Sequence, residues 1–243
     1  MNLYPGRGIS GSTLKIIAIV TMFIDHFGSA VVEKGILRLP MVRENASLLA
    51  SWTAADQLMR TIGRLAFPIF CFLLIEGFIH TRSVAKYAAR LFLFALLSEL
   101  PFDLALRQSF YAPGTQNVFF TLLIGLLAIA GASWCRERRF FWLEPLVFLA
   151  GLFAADFLST DYSYRGVFLI IILYLLRFSK PLQCLGGAIA IAWEAAGPLG
   201  FLPVWFYNGT RGKLSLKYFF YAFYPLHLLL FAGVRQLLLA VWG

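Results

Sequence analysis

The sequence predicts an all-α, polytopic integral membrane protein: one domain over residues 1–243, folded as a single bundle of about eight or nine transmembrane helices. Three observations carry this. Of 243 residues, 60% are hydrophobic and only 14% are charged, whereas soluble domains have about a quarter charged. The 25 phenylalanines and six tryptophans are more aromatic surface than a water-soluble protein of this length hides. Apolar stretches long enough to cross hydrocarbon, about 20 residues each, recur along the chain.

Spans are expected at 13–32, 58–79, 84–104, 117–134, 140–157, 164–178, 182–205 and 217–241. The first, within STLKIIAIVTMFIDHFGSAVV, is read as a retained helix. Asp25-His26 interrupts the apolar run where a signal peptide needs its greasiest residues, and no small-x-small cleavage site follows. Connections are short apart from 33–57, so no soluble domain is inserted. The segment PLQCLGGAIAIAWEAAGPLGFLPVWFY is long and broken by Gly197-Pro198. Splitting it into two short or re-entrant helices gives the higher count. No internal repeat is visible, which weakens an inverted-repeat transporter.

Basic residues set the orientation. With a cytoplasmic N-terminus, Arg82, Lys86, Arg136, Arg138, Arg139, Arg177 and Lys180 fall inside, as the positive-inside rule asks. The far side receives Lys34, Arg38, Arg43, Arg107 and Arg165, diluted by Glu33, Glu44, Asp156 and Asp161. Arg211, Lys213 and Lys217 join the inside only if the 182–205 segment is split. The formal charge of +9 is accounted for mainly by loops facing anionic lipid; no nucleic-acid partner is implied. Three separated cysteines and three histidines, with no paired spacing, argue against a disulfide framework and a protein-bound metal.

The chemistry lies in polar groups that an apolar helix gains nothing by holding. Lys15 and His26 are eleven residues apart, nearly three turns, so they share a face with Met22 and Ser29. His26 stands roughly 16 Å deeper than Lys15. A neutral imidazole there can take a proton from a nucleophile, with Asp25 or another carboxylate stabilising the charged form. Packing against a neighbouring helix is the plainer alternative. Arg60 and Arg64 sit near the outer end of their span and Glu76 near its inner end. Glu99 and Asp103 lie one turn apart near the outer end, where Asn117, Asp161, Tyr162, Tyr164 and Arg165 also gather. Arg64 with Glu99 or Asp103 is the expected structural pair. On the inner side Arg82, Lys86 and Arg90 follow at four-residue spacing beside a helix N-terminus, either a phosphate site or an ordinary basic loop. Tyr221, Tyr224, Pro225 and His227 share the last span, which Pro225 is expected to kink.

The runs GSTLKIIAIVTMFIDHFG, RLAFPIFCFLLIEGF, LSELPFDLAL, YSYRGV, NGTRG and KYFFYAFYPLHL resemble the TraX family, whose namesake is an inner-membrane enzyme that N-acetylates a conjugative pilin subunit. More loosely, Lys15 with His26 is similar to the basic-residue, ten-residue, catalytic-His pattern of the acyltransferase-3 superfamily. LLIEGFIHTRSVAKYAAR has the shape of that superfamily's following motif, with Glu76 where Ser is usual. The resemblance implies a bacterial inner-membrane acyltransferase that takes acetyl-CoA (acyl-CoA) from the cytoplasm and needs no metal. It acylates an amine or hydroxyl of a protein, glycan or lipid on the far side. His26 is then the general base, helped by Asp25. Lys15, Arg82, Lys86 and Arg90 meet the CoA phosphates. Arg64, Glu99, Asp103, Asn117, Tyr164, Arg165, Tyr224 and His227 surround the acceptor, with Arg64 a candidate for the oxyanion. Two rivals stand beside it: a proton-coupled transporter with a His26, Glu76, Glu99 and His227 relay, and a non-catalytic scaffold.

Overall fold

The computed structural model describes residues 8–213 and 217–243. Among these residues there is no β-strand, only two isolated bridges, Ile9 with Tyr207 and Gln116 with Thr160. Helix α1 (Gly11–Phe27) starts at Ser10, whose Oγ accepts the Thr13 N–H at 3.3 Å, the ordinary N-cap role of serine. It runs on into a π-helical turn, Gly28–Glu33, so helix covers the whole expected first span. A 3-10 turn (Ile36–Arg38) and the short α2 (Pro40–Arg43) follow.

Helices α3 (Ala46–Gly63) and α4 (Ala66–His80) form one 35-residue stretch, roughly 50 Å long, broken at Arg64-Leu65. The loop expected over 33–57 is therefore helical from residue 46. ASLLASWTAAD is too polar to read as a span, but its Ala and Leu are strong helix formers. Asn45 caps it, its Oδ1 accepting from the N–H groups of Ser47 and Leu48 at 3.1 Å each.

Helix α5 (Val84–Phe102) begins at Ser83, whose Oγ accepts the Lys86 N–H at 3.3 Å. Arg82 thus precedes the cap and does not share the α5 face with Lys86 and Arg90, contrary to the four-residue pattern. Pro101 lies inside the last turn, and a π turn, Asp103–Arg107, follows it. A proline frees backbone carbonyls. Buried Arg235 answers two nearby ones, Nη1 donating to Ala105 O at 2.7 Å and Nη2 to Leu104 O at 2.8 Å. Helices α6 (Val118–Glu137), α7 (Glu144–Phe157), α8 (Ser163–Leu175) and α9 (Lys180–Ala190) come next. A 3-10 turn (Gly197–Gly200), α10 (Phe201–Trp205) and α11 (Lys217–Trp242) complete the chain.

The bundle has two ends. At one, the Gly11 N–H donates to Thr210 O at 2.8 Å, Lys180 Nζ to Tyr207 O at 2.6 Å, and the Tyr207 hydroxyl to Glu76 at 2.9 Å. The starts of α1 and α9, the end of α4 and the 207–213 loop therefore share it with Lys15. The 182–205 segment does not cross as one helix: it rises through the 11 residues of α9 and returns through the five of α10. Helix α11 runs parallel to α1, shown by Lys15 over Phe220, His26 with His227, Phe27 with Phe231, and Gly35 against Arg235.

Among the described residues, four stretches are long and apolar enough to cross a membrane: Gly11–Arg38, Ala46–His80, Val118–Glu137 and Phe219–Trp242. Helices α5, α7 and α8 coincide with expected spans. However, α7 and α8 have only 14 and 13 residues, short of the ~20 that a bilayer asks of a straight helix. Eight or nine full crossings are not reached on helix length.

Helix α1 is held against α3 by Asp25 and Arg60, whose Nη1 donates to Asp25 Oδ2 at 2.7 Å. The carboxylate lies flat on Gly63, where a Cβ would overlap it. Gly63→Ala is expected to lower stability by about 1–3 kcal/mol, read as a lower thermal midpoint in detergent. Arg60→Ala should cost about 3 kcal/mol by stranding a charge, and adding Asp25→Asn should recover much of it. The arrangement of ends is checked by membrane-impermeant thiol labelling of single cysteines in a cysteine-free background. Lys213→Cys and Glu137→Cys should label from one side, and Phe110→Cys from the other.

Candidate active site

At the end opposite Lys15, a cavity of about 420 Å³ opens beside α1. Asp25, His26 and Ser29 come from α1 and its π turn, and Arg60 and Arg64 from the α3–α4 rod. Asp161–Arg165 come from the start of α8, and Trp193 and Glu194 from the turn after α9. That turn reaches the cavity because α9 ends half-way up the bundle. Its return is tight: a Cβ at Gly200 would come 2.5 Å from Pro68 Cγ and 2.9 Å from Leu65 O.

Charges in the wall are mostly paired. Arg60 meets Asp25 at 2.7 Å, and Arg64 Nε meets Glu194 Oε2 at 3.1 Å. Arg165 lies over Trp193, 5.2 Å from its ring centre, and beside Tyr164 at 5.9 Å. Asp161 lies exposed on the cavity, in the loop before α8. The walls of the cavity push its carboxyl up to about 6, against the pull of Arg107. Neither Asp161 nor Arg165 is in a salt bridge among the described residues, so one acid and one base stay available to a guest.

His26 stands in the cavity wall with a second imidazole behind it. Its Nδ1 is 2.6 Å from Nε2 of His227, and the rings are parallel within 8°. His227 is buried, and its Nδ1 is 2.6 Å from Phe223 O on the preceding turn of α11. A carbonyl only accepts, so His227 Nδ1 carries the hydrogen. Neutral His227 then offers the lone pair of Nε2, and His26 Nδ1 donates to it. The free lone pair of the dyad is therefore on His26 Nε2. Tyr224 closes the pocket edge-on to His26, with ring centres 5.6 Å apart.

Of the residues singled out in the sequence, Asp25, His26, Ser29, Arg60, Arg64, Asp161, Tyr162, Tyr164 and Arg165 line the cavity. Asp25 is not the partner of the His26 ring: Arg60 takes the carboxylate, and His227 takes the imidazole. Arg64 pairs with Glu194, not with Glu99 or Asp103, because the α9–α10 return brings Glu194 to it. Glu99 accepts from Asn117 Nδ2, while Asn117 also caps α6 and donates to Ala95 O at 2.8 Å. Buried Asp103 accepts the Ala112 N–H at 2.8 Å. Glu99, Asp103 and Asn117 hold chain corners and do not line the cavity. Tyr224 and His227 stand behind His26. Glu76 is bonded to Tyr207, so the four-residue relay of the transporter reading is not assembled.

Lys15, Arg82, Lys86 and Arg90 do not line the cavity. They lie toward the other end, with Lys15 against Phe220 and Arg90 near Tyr221 of α11. Trp193 and Glu194 were not singled out in the sequence. Trp-Glu inside GAIAIAWEAAGP was the available signal, since a carboxylate in an apolar run needs a partner. Among the described residues no group of His, Cys, Asp and Glu is arranged to hold a metal ion.

The chain is 29% identical over 265 aligned positions to the probable fimbrial assembly protein FimC, serogroup H1, of Dichelobacter nodosus, covering 94% of this chain and 97% of that protein. No solved structure matches it. The TraX family, described as TraX protein, matches residues 10–235. That range takes in both histidines of the His26–His227 dyad and the whole cavity wall, and this chain belongs to the TraX family.

Proposed function

We propose that the protein is a membrane acyltransferase of fimbrial or pilus assembly, which moves an acetyl group from acyl-CoA to an amine or hydroxyl of its acceptor. The observation that carries this reading is the His26–His227 dyad. It leaves a basic nitrogen on His26, a residue of the wall of a polar cavity that is large enough for a chain end or one sugar. The family and the relative named for fimbrial assembly support the setting, the bacterial cytoplasmic membrane. The N-terminus is taken to be inside.

In this reading His26 Nε2 accepts the proton of the acceptor as its nitrogen or oxygen attacks the thioester carbonyl. The new bond to carbon forms as the carbonyl π electrons move to oxygen. Arg64 holds Glu194 through Nε and also hydrogen-bonds Tyr162, and the N–H groups of its guanidinium left over from these two partners face that oxyanion in this reading. When the oxyanion collapses, the carbon–sulfur bond breaks and His26 returns the proton to the departing thiolate. His227 keeps accepting from His26 Nδ1–H throughout, which stabilises the imidazolium without moving a ring. Roughly 16 Å of helical rise separates Lys15 from His26, the distance a thioester arm has to cover from a donor bound at the basic end.

The test is incubation of the purified protein with radiolabelled acetyl-CoA and a membrane extract, followed by identification of the labelled product. His26→Ala should cost about 10²–10⁴-fold in rate with unchanged size-exclusion behaviour. His227→Leu should give an intermediate loss, and Asp25→Asn a smaller one, since Asp25 does not touch the ring. Full transfer by His26→Ala would overturn the reading.

A further inference from the structure

We propose that the loop Asn208–Lys213, together with Lys15 and Arg90, is an anion site built to grip the diphosphate of a nucleotide-bearing co-substrate. The loop is locked onto the first turn of α1. Thr210 O accepts the Gly11 N–H at 2.8 Å, and Arg211 O accepts the Ser12 N–H at 3.0 Å and the Ser12 hydroxyl at 2.9 Å. Asn208 folds the loop on itself, its Oδ1 accepting from Thr210 N at 3.0 Å and Thr210 Oγ1 at 2.7 Å. Gly212 has φ +81°, and a Cβ there would come 2.5 Å from both Ser10 Oγ and Ser12 Oγ. Glycine at this position lets the loop lie flush on the helix, with Arg211 anchored one turn from Lys15.

The cost of this arrangement is electrostatic. Lys15 is half-buried, its ammonium 5.4 Å from the centre of the Phe220 ring, and the charge that acts on it is a second cation, Arg211. All four salt bridges among the described residues lie elsewhere, and none includes Lys15, Arg90, Arg211 or Lys213. Arg90 of α5 approaches the next residue of α11, Tyr221. Its buried Nε has no hydrogen-bond partner among the described residues. Like charges brought together repel, and a bound polyanion reverses that sign. Arg82 and Lys86 are exposed and belong to the ordinary basic rim.

Only the identity of the ligand as acyl-CoA rests on the function proposed above; the site itself rests on the loop. The test measures binding of labelled coenzyme A to the full chain in phosphatidylcholine nanodiscs, with inorganic pyrophosphate as competitor. Wild type should bind both. Arg211→Gln should weaken both at least tenfold, Gly212→Ala similarly by displacing the loop, and Arg211→Lys by less. Arg138→Gln, a basic residue of another loop, should change nothing. Added salt should weaken binding, as it does for exposed charges. Equal affinity in wild type and Arg211→Gln would overturn the site and leave the acyltransferase reading standing. Arg211-dependent binding of pyrophosphate without coenzyme A would support the site and overturn acyl-CoA as donor. Abolition of wild-type coenzyme A binding by phosphatidylglycerol in the disc would overturn the diphosphate assignment in favour of a lipid headgroup.

Discussion

The ion pair between Asp25 and Arg60 fixes the frame in which everything else at the site is placed. It ties the upper half of α1 to the α3–α4 rod at 2.7 Å, with the carboxylate pressed on Gly63. One residue further along α1, His26 is thereby turned toward the cavity on one side and α11 on the other. A pair of this kind, with 15% and 28% of its side chains exposed, adds little net stability once desolvation is counted. What it supplies is register. Losing either partner leaves a charge stranded beside apolar helices, so α1 cannot slide or rotate against the rod without a large penalty.

Charge is distributed unevenly along the bundle, and the unevenness has a direction. Around His26, arginines answer carboxylates one to one: Arg60 to Asp25 and Arg64 to Glu194. At the Lys15 end Arg136 is held by Glu144, while Lys15, Arg90, Arg211 and Lys213 are in none of the salt bridges among the described residues. A balanced cavity suits a guest of low net charge, and an unbalanced rim suits an anion. The parallel course of α1 and α11 joins the two. Phe220, Tyr224 and His227 climb one side of α11 while Lys15 and His26 climb the facing side of α1.

Much of this was legible in the sequence, and the failures have physical causes. Composition and the recurring apolar stretches pointed to an all-helical membrane protein, and the eleven-residue interval put Lys15 and His26 on one side of α1. Along the same stripe, Met22 is packed in the core and Lys15 lies over Phe220. Helical periodicity places residues on a face without saying what covers it. The partner of Arg64 was misassigned because local spacing favours neighbours along the chain. Glu194 arrives through a re-entrant turn 130 residues later. The break at Gly197-Pro198 was visible in the sequence; what it carried into the cavity was not. Polar Glu99, Asp103 and Asn117 looked like a vestibule, yet each is consumed by a cap or a corner that the adjoining helix ends require. His227 was recognised as an intramembrane imidazole, but its pairing with His26 depends on α1 and α11 running parallel, which no local pattern encodes.

The pair of histidines is informative because its protons have no freedom. In water an imidazole exchanges tautomers readily. Here Phe223 O accepts from one nitrogen of His227 at 2.6 Å, and that single carbonyl orders the rest of the row. His227 must accept from His26, and His26 must present Nε2 as its lone pair. Adding a proton at that nitrogen leaves both hydrogen bonds of the row intact and in the same sense. No ring has to turn, and His227 is already placed to stabilise the new charge. An isolated histidine in the same apolar surroundings would have to find such a partner after protonation. The dyad therefore has the property expected of a preorganised base: the reorganisation that protonation demands has been carried out in advance by the fold of α11.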